Sequence, residues 1–203
     1  MLPPFDDAQA MAVFADMLTD AGDPRGELIH LQLAREHRPA DPTLRATEER
    51  FIASHGRALL GSLRTATSLF TLTWRRGYVV EATLESHAGQ SSWVRGRWVE
   101  ALPARPRSPR LLASFLELES STALQLLRVR FPRSTFGREQ LVACAEVVAN
   151  SGRTFGALSF ELLVPGEWWN SPGEPGPTVE RQLGPTFVSV DTAVAPVILK
   201  LLG

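Results

Sequence analysis

Apolar residues recur at helical spacing through the first third of the chain. Met11, Phe14, Ala15 and Leu18 fall on one face of a predicted first helix, with Asp6 as its N-cap. A second helix begins at Pro24 and is apolar nearly all round, which is typical of a helix in the centre of the packing. Its apolar residues are Leu28, Ile29, Leu31, Leu33 and Ala34. A third helix begins at residues 41–42, where an aspartate is again followed by a proline.

A tight corner separates the first two predicted helices. Gly22 suits the left-handed position after a helix, Asp23 the N-cap and Pro24 the first turn. Asp16 and Arg25 flank this corner and are predicted to form an ion pair across it, although a ligand site is the alternative. We assign six residues to this structural corner: Asp16, Gly22, Asp23, Pro24, Arg25 and Gly26.

From residue 68 onward the pattern changes to alternation with a period of two. It predicts a strand at 70–74, a turn at 75–77 and a second strand at 78–84. The remainder is predicted to form helices at 92–102, 108–119 and 138–150, and strands at 125–131, 157–164 and 187–191.

The intervals between the predicted strands favour parallel pairing. Strands starting at residues 78, 125, 157 and 187 leave room for a crossover between each pair. The alternation at 127–131 and 158–162 is that of a leucine-rich-repeat unit, at a longer spacing. We therefore predict an α/β fold: an N-terminal helical cap (1–63) and a mainly parallel, degenerate leucine-rich-repeat-like array (64–203), with one continuous core possible. An ordinary three- to five-strand α/β sandwich is the alternative.

Composition places the chain in the globular class. Of its 203 residues 44% are hydrophobic and 21% charged, and no apolar run approaches the roughly 18 residues of a membrane span. The N-terminus lacks the basic and apolar regions of a secretory signal, so a cytoplasmic protein without membrane contact is expected. Cys144 lies in an apolar helical stretch and is predicted to be an inert core residue.

Charge is unevenly distributed although the net charge is −1. Residues 64–138 contain 12 Arg against 5 Glu, between two acidic segments. On the predicted strands and their turn, the candidate interaction residues are Arg75, Arg76, Arg128 and Arg130. Glu81, Arg128, Arg130 and Glu161 occupy outward positions on adjacent parallel strands and could neutralise one another. A protein partner with an acidic face is the first hypothesis. Nucleic acid is the alternative, because arginines interleaved with aromatic rings provide phosphate contact and base stacking.

Tandem tryptophans lie in a loop over residues 165–177 that is rich in proline and glycine. Trp168 and Trp169 are the natural contact anchors of such a loop. The alternative is that they fold back and cover the end of the core.

No motif that carries chemistry by its spacing occurs in the chain. His30 and His37 are seven residues apart, too far along a helix to bind one ion as an i, i+4 pair does. The sequence therefore predicts no catalytic residue, no cofactor and no metal, and the protein is not expected to be an enzyme.

Three segments carry a resemblance to a known family. They are residues 13–18, the Gly-Asp-Pro-Arg-Gly-Glu string at 22–27, and 28–33, followed by His55-Gly56-Arg57 and Arg76-Gly77-Tyr78-Val79. Over about residues 8–84 the chain resembles the repeat-companion domain of myxobacterial and planctomycete proteins, which often precedes leucine-rich repeats. The resemblance implies a bacterial protein and a structural cap on a repeat array. Together these features predict a non-enzymatic protein–protein interaction module of adaptor, regulatory or immunity type, with nucleic-acid binding as the alternative.

Overall fold

The computed structural model describes residues 3–61, 63–64, 69–85, 92–94, 97–99, 108–164 and 174–203. The chain begins with three helices, α1 (Ala8–Asp20), α2 (Pro24–His37) and α3 (Pro42–Leu60). Strands β1 (Phe70–Arg75) and β2 (Tyr78–Glu85) follow. The remaining elements are β3 (Ser92–Val94), β4 (Arg97–Val99), α4 (Ser108–Leu116), β5 (Leu126–Pro132), α5 (Thr135–Asn150), β6 (Ala157–Val164), β7 (Glu174–Pro175), β8 (Thr178–Leu183), β9 (Thr186–Asp191) and α6 (Ala195–Leu202).

The main sheet is mixed, with a parallel centre. Its strand order is β1-β2-β5-β6-β9-β8, and β7 pairs with β6. The pairs β2–β5, β5–β6 and β6–β9 are parallel, which confirms the parallel pairing predicted from the strand intervals. The pairs β1–β2, β8–β9 and β6–β7 are antiparallel. The fold is thus mixed α/β, and the likeness to leucine-rich repeats stays a prediction.

Capping side chains start the helices close to the predicted places. Asp23 and Asp41 accept hydrogen bonds from the first-turn N–H groups of α2 and α3, as predicted. Asp7, and not Asp6, caps α1 through the N–H of Ala10 at 2.9 Å, because the helix begins one residue later than the pattern indicated. Gly22 has a φ of +75°, so the backbone reverses there without a Cβ clash.

One hydrophobic cluster joins the cap to the sheet. It includes Leu28 of α2 and Phe51 of α3 together with inward residues of the parallel strands, such as Leu127 and Phe160. Helices α4, α5 and α6 pack on the same side, through residues such as Leu112, Leu141 and Ile198. Since alternate residues of a strand point to opposite faces, the other face of the sheet is formed by the residues that lie between these core positions along each strand.

Several elements differ from the pattern-based prediction, among them the short strand β7, which lies in the loop predicted at 165–177. The helix predicted at 92–102 is wrong for 92–94 and 97–99, which form the antiparallel pair β3–β4; tryptophan and valine favour strands. Residues 100–102 lie outside the described residues. Strand β8 was missed because almost every residue of this edge strand is exposed, which leaves no alternation to detect. The short apolar helix α6 was missed as well.

Candidate functional site

The turn between β1 and β2 is clamped onto the helical cap. Arg76 and Gly77 both have positive φ, +49° and +77°, the geometry of a two-residue hairpin loop that matches the strand twist. Arg76 Nη2 donates to Glu36 Oε2 at 2.8 Å, and Arg76 Nη1 donates to the Phe5 carbonyl. The side chain of Arg76 is only 6% exposed. Hydrogen bonding to Arg76 lowers the pKa of Glu36, and the same bond raises the pKa of Arg76.

A second network beneath this turn is buried. The Gly77 N–H donates to Gln32 Oε1 at 2.7 Å, and Gln32 Nε2 donates to Glu48 Oε1 at 2.6 Å. Arg35 Nη1 lies 2.5 Å from Glu48 Oε2, without the alignment of a hydrogen bond. The network fixes the hairpin against α2 and α3, so these contacts are structural.

The predicted corner is present, but its ion pair is a different one. Arg25 Nε donates to Asp23 Oδ2 at 2.9 Å, and its guanidinium also contacts Glu119 and the Tyr78 ring, 5.5 Å from its centroid. These hydrogen bonds lower the pKa of Asp23 and raise that of Arg25. Asp16 accepts no hydrogen bond from Arg25; its Oδ1 lies 2.9 Å from His30 Nε2. The predicted Asp16–Arg25 pair is therefore wrong, because the Arg25 guanidinium binds Asp23 and Glu119 and Asp16 contacts His30 of α2.

Close approach of α1 and α2 depends on Gly26. A Cβ at this position would lie 2.4 Å from the Ala15 carbonyl oxygen and 2.6 Å from the Thr19 nitrogen. The glycine of the corner therefore serves helix packing, which supports a structural role for the motif.

The arginines of the first hairpin differ in burial. The Arg75 side chain is 46% exposed. Its Nη2 lies 3.3 Å from Asp6 Oδ1, and its Nε lies 3.7 Å from Glu36 Oε1. Its guanidinium lies 5.6 Å from the centroid of the Phe5 ring. Arg75 is thus partly available to solvent, whereas Arg76 belongs to the packing between cap and sheet.

The sheet face opposite α4, α5 and α6 has two adjacent rows of residues in register. We call it the polar face. The first row runs Thr73, Glu81, Leu126, Ala157, Phe187 and Gln182, and the second runs Thr71, Thr83, Arg128, Ser159, Ser189 and Glu180. The rows lie about 7 Å apart, two residues along each strand. The first row has an apolar centre, with Phe187 41% exposed, and the second is polar throughout.

Arg128 and Arg130 lie on this face in unlike surroundings. Arg130 Nε donates to Glu161 Oε2 at 2.9 Å, and Ser159 Oγ donates to the other oxygen of Glu161 at 2.6 Å. This pairing of neighbouring parallel strands was foreseen from the sequence. Arg128 has no carboxylate partner among the described residues, and it lies between Thr83 and Ser159 in register.

A groove of about 410 Å³ opens where the polar face meets the helical cap. We call it the cap groove. The end of α2 contributes Arg35 and Glu36, and the sheet contributes Trp74, Arg75, Glu81 and Leu126. Sequence reasoning missed this groove, because α2 is distant in sequence from the first row and only the tertiary structure brings them together.

Asp191 is the most buried acid of the described chain, at the end of β9. Its Oδ1 accepts from the Ala193 N–H at 2.8 Å and lies 3.8 Å from Arg133 Nη2, while Oδ2 has no hydrogen-bond partner. Gly176 lies directly against it, since a Cβ there would be 2.6 Å from Oδ2. A side chain at position 176 would therefore collide with the buried carboxylate.

Other predicted features have plain outcomes. Cys144 is buried, and burial raises the pKa of its thiol to about 12, so the predicted core position is confirmed. Trp168 and Trp169 lie outside the described residues. Over the described ranges, no group of three or more His, Cys, Asp or Glu side chains could hold a metal ion. In the same ranges no helix has the length and apolarity needed to cross a membrane.

Comparisons of the chain with models of known protein families, with curated proteins and with solved structures find no match. The resemblance to the repeat-companion domain therefore stays a prediction.

Proposed function

We propose that this chain is a non-enzymatic protein-interaction module that binds a polypeptide on the polar face. The observation that carries the proposal is the apolar centre of the first row, Leu126, Ala157 and Phe187, which continues into the cap groove. Phe187 lies in the same row as Leu126, which lines the groove, and phenylalanine is one of the aromatic residues enriched at protein interfaces.

The proposed partner has an apolar side chain and a carboxylate. Arg128 lies about 7 Å along β5 from Leu126, and its charge is not neutralised by any described carboxylate. Residues i and i+2 of an extended segment are separated by a similar distance. A segment with an acidic residue two positions from an apolar one could therefore contact Leu126 and Arg128 at the same time.

Protein is favoured over nucleic acid by the pairing of the arginines. Arg75, Arg76 and Arg130 each contact a carboxylate of this chain, so three of the four candidate arginines on the sheet and its turn have a partner that competes with phosphate contact. A single guanidinium beside apolar side chains suits a polypeptide better than a polyphosphate backbone.

The test is selection of peptides from a random display library on the immobilised protein, followed by fluorescence anisotropy. Phe187→Ser is expected to weaken binding of the selected peptides about tenfold, or roughly 1.4 kcal/mol. Met17→Ser on α1 is the matched control, because Met17 is also an exposed apolar residue, 64% exposed, and belongs to neither the polar face nor the cap groove. Peptides that respond to Met17 and not to Phe187 would place the binding surface elsewhere.

Arg128→Gln separates the two ligand classes. Peptide binding is expected to weaken and to lose its preference for acidic residues. Titration with a labelled single-stranded RNA at rising salt is the counter-experiment. RNA binding that falls steeply with salt and disappears in Arg128→Gln would replace the polypeptide by nucleic acid.

A further inference from the structure

A second groove lies on the other side of the molecule, between α4 and α5. Its volume is about 580 Å³, and we call it the helix groove. It is lined at helical spacing by Pro109, Ala113, Leu116 and Glu117 from α4 and by Ala143, Glu146, Val147 and Asn150 from α5. The small side chains of Ala113 and Ala143 leave space between the two helices. Its shape therefore suits a third helix laid over both.

The end of this groove is negative. Glu117 and Glu146 are exposed, and neither forms an ion pair with a described residue. The C-terminal ends of α4 and α5 lie at this same end without a basic residue in either last turn, and each helix end adds a partial negative charge. Arg153 supplies the one described cation of the lining, and its Nη1 donates to Ser121 O at 2.7 Å. The groove thus favours an apolar helix with a positive charge.

Helix α6 has a surface of that kind. Ala195 and Ile198 are buried against the core, whereas Val197 and Leu201 on another side are 50% and 36% exposed. Lys200, the only lysine of the chain, is exposed between them. Because residues i, i+3 and i+4 share one side of a helix, these three side chains form a single apolar and basic surface.

The lengths of the two surfaces agree. Helix α6 has 8 residues, and so is about 12 Å long. The α4 wall of the helix groove, from Pro109 to Glu117, is also about 12 Å long. Aligned in parallel with α4 and α5, α6 would bring Lys200 to the acidic end.

We propose that α6 of one copy of this chain packs into the helix groove of a second copy. Val197 and Leu201 then cover Ala113 and Ala143, and Lys200 pairs with Glu117 and Glu146. The two surfaces differ, so the contact is head-to-tail and is not closed by a two-fold axis. A single short helix buries less area than a standard interface, so we expect a dissociation constant of about 100 μM. The proposal does not depend on the polar face.

The first experiment is sedimentation equilibrium of the chain from about 1 μM to about 1 mM, a range that spans this dissociation constant. The mean mass is expected to rise with concentration. Lys200→Glu and the double variant Glu117→Lys/Glu146→Lys should each remain monomeric. Glu139→Lys is the matched control, because Glu139 is exposed on α5 outside the groove lining, and it should associate like the wild type.

The decisive experiment is to mix Lys200→Glu with the double variant Glu117→Lys/Glu146→Lys. The basic groove of the double variant and the acidic α6 of Lys200→Glu are complementary, so the mixture should associate although neither protein does so alone. This rescue also shows that both variants are folded. A wild type that stays monomeric at about 1 mM, association that survives either charge reversal, or a mixture that stays monomeric would overturn the proposal.

Discussion

The junction between cap and hairpin and the polar face both contain arginines, but they use them differently. At the junction, Arg25 and Arg76 are largely buried, and each makes several hydrogen bonds to carboxylates or carbonyls. On the polar face, Arg130 is paired and Arg128 is not, within the described chain. The same residue type therefore holds the fold together in one region and is left available in the other. Local sequence does not distinguish Arg76 from Arg128, since each has a second arginine one or two residues away.

The largest expected effect is at the hairpin turn. Gly77→Ala places a Cβ 2.7 Å from Ile29 Cγ1 and 3.0 Å from the Arg25 carbonyl oxygen at a φ of +77°. We expect a loss of roughly 3–5 kcal/mol in the free energy of unfolding, from backbone strain and overpacking together. Urea denaturation of Gly77→Ala and the wild type measures this loss.

Gly22→Ala is the control for that prediction. Gly22 has a similar φ, +75°, but nothing lies within 4 Å of its Cβ position. Only the strain of about 1–2 kcal/mol is expected. Equal losses in the two variants would mean that the close packing of Gly77 against Ile29 and the Arg25 carbonyl contributes nothing.

The next largest effect is a difference between substitutions of two adjacent arginines of the junction, measured as the loss in the free energy of unfolding. Arg76→Met removes a buried side chain and leaves Glu36 without its closest partner, for which we expect a loss of about 2 kcal/mol, moderated by the partial exposure of Glu36. Arg75→Met removes a half-exposed ion pair and should cost less than about 1 kcal/mol. Thermal and urea unfolding of the pair test the assignment, and a reversed order would contradict it.

On the polar face the expected effects on stability are smaller. Arg130→Gln leaves the buried Glu161 with Ser159 as its remaining hydrogen-bond donor, so we expect a loss of about 1–2 kcal/mol. Arg128→Gln should change the free energy of unfolding by less than about 0.5 kcal/mol while weakening peptide binding. A strongly destabilised Arg128→Gln would show that this residue belongs to the fold and not to a binding surface.

The smallest difference is expected in the response to acid. Arg76 and Arg25 hold the pKa values of Glu36 and Asp23 below their ordinary range. Each carboxylate then contributes stability above its unfolded pKa of about 4, and this contribution is lost as the pH falls through the folded pKa. The free energy of unfolding should therefore fall from about pH 5 downward.

Arg76→Met at the junction and Arg128→Gln on the polar face should differ in how their free energy of unfolding depends on pH. The fall with acid should be shallower in Arg76→Met, because Glu36 no longer has a lowered pKa, and unchanged in Arg128→Gln. Urea unfolding at several pH values measures both slopes. An equally steep fall in Arg76→Met would contradict the role given to the Arg76–Glu36 pair.

Most elements could be predicted from the sequence because their signals are local. Asp23 and Pro24 start α2 through one cap and one fixed φ, and the alternation of Leu127, Val129 and Phe131 defines β5 by itself. Where the local signal was absent or ambiguous, prediction failed: β8 is exposed on both sides, and the segment around β3 and β4 has apolar residues that fit a helix or a strand.

The candidate site was predictable only in part. The alternation placed Arg128 and Arg130 on one face of a parallel sheet, and it also indicated that Arg130 and Glu161 would lie on neighbouring strands. It could not show that α2 contributes Arg35 and Glu36 to the wall of the cap groove. It could not assign Asp16 to His30 either, because both Arg25 and His30 are within reach of α1.

By itself, the sequence determined where the chain turns, which residues alternate toward the core, and that the strands starting at 78, 125, 157 and 187 run in parallel. Caps, glycine φ angles and periodicity each depend on a few consecutive residues, so they can be recognised from the sequence without knowing the fold. The partner of each arginine and the two grooves were decided by the tertiary structure. Ion pairs and cavities depend on distances between segments up to 94 residues apart, as between Arg25 and Glu119, and packing alone sets those distances.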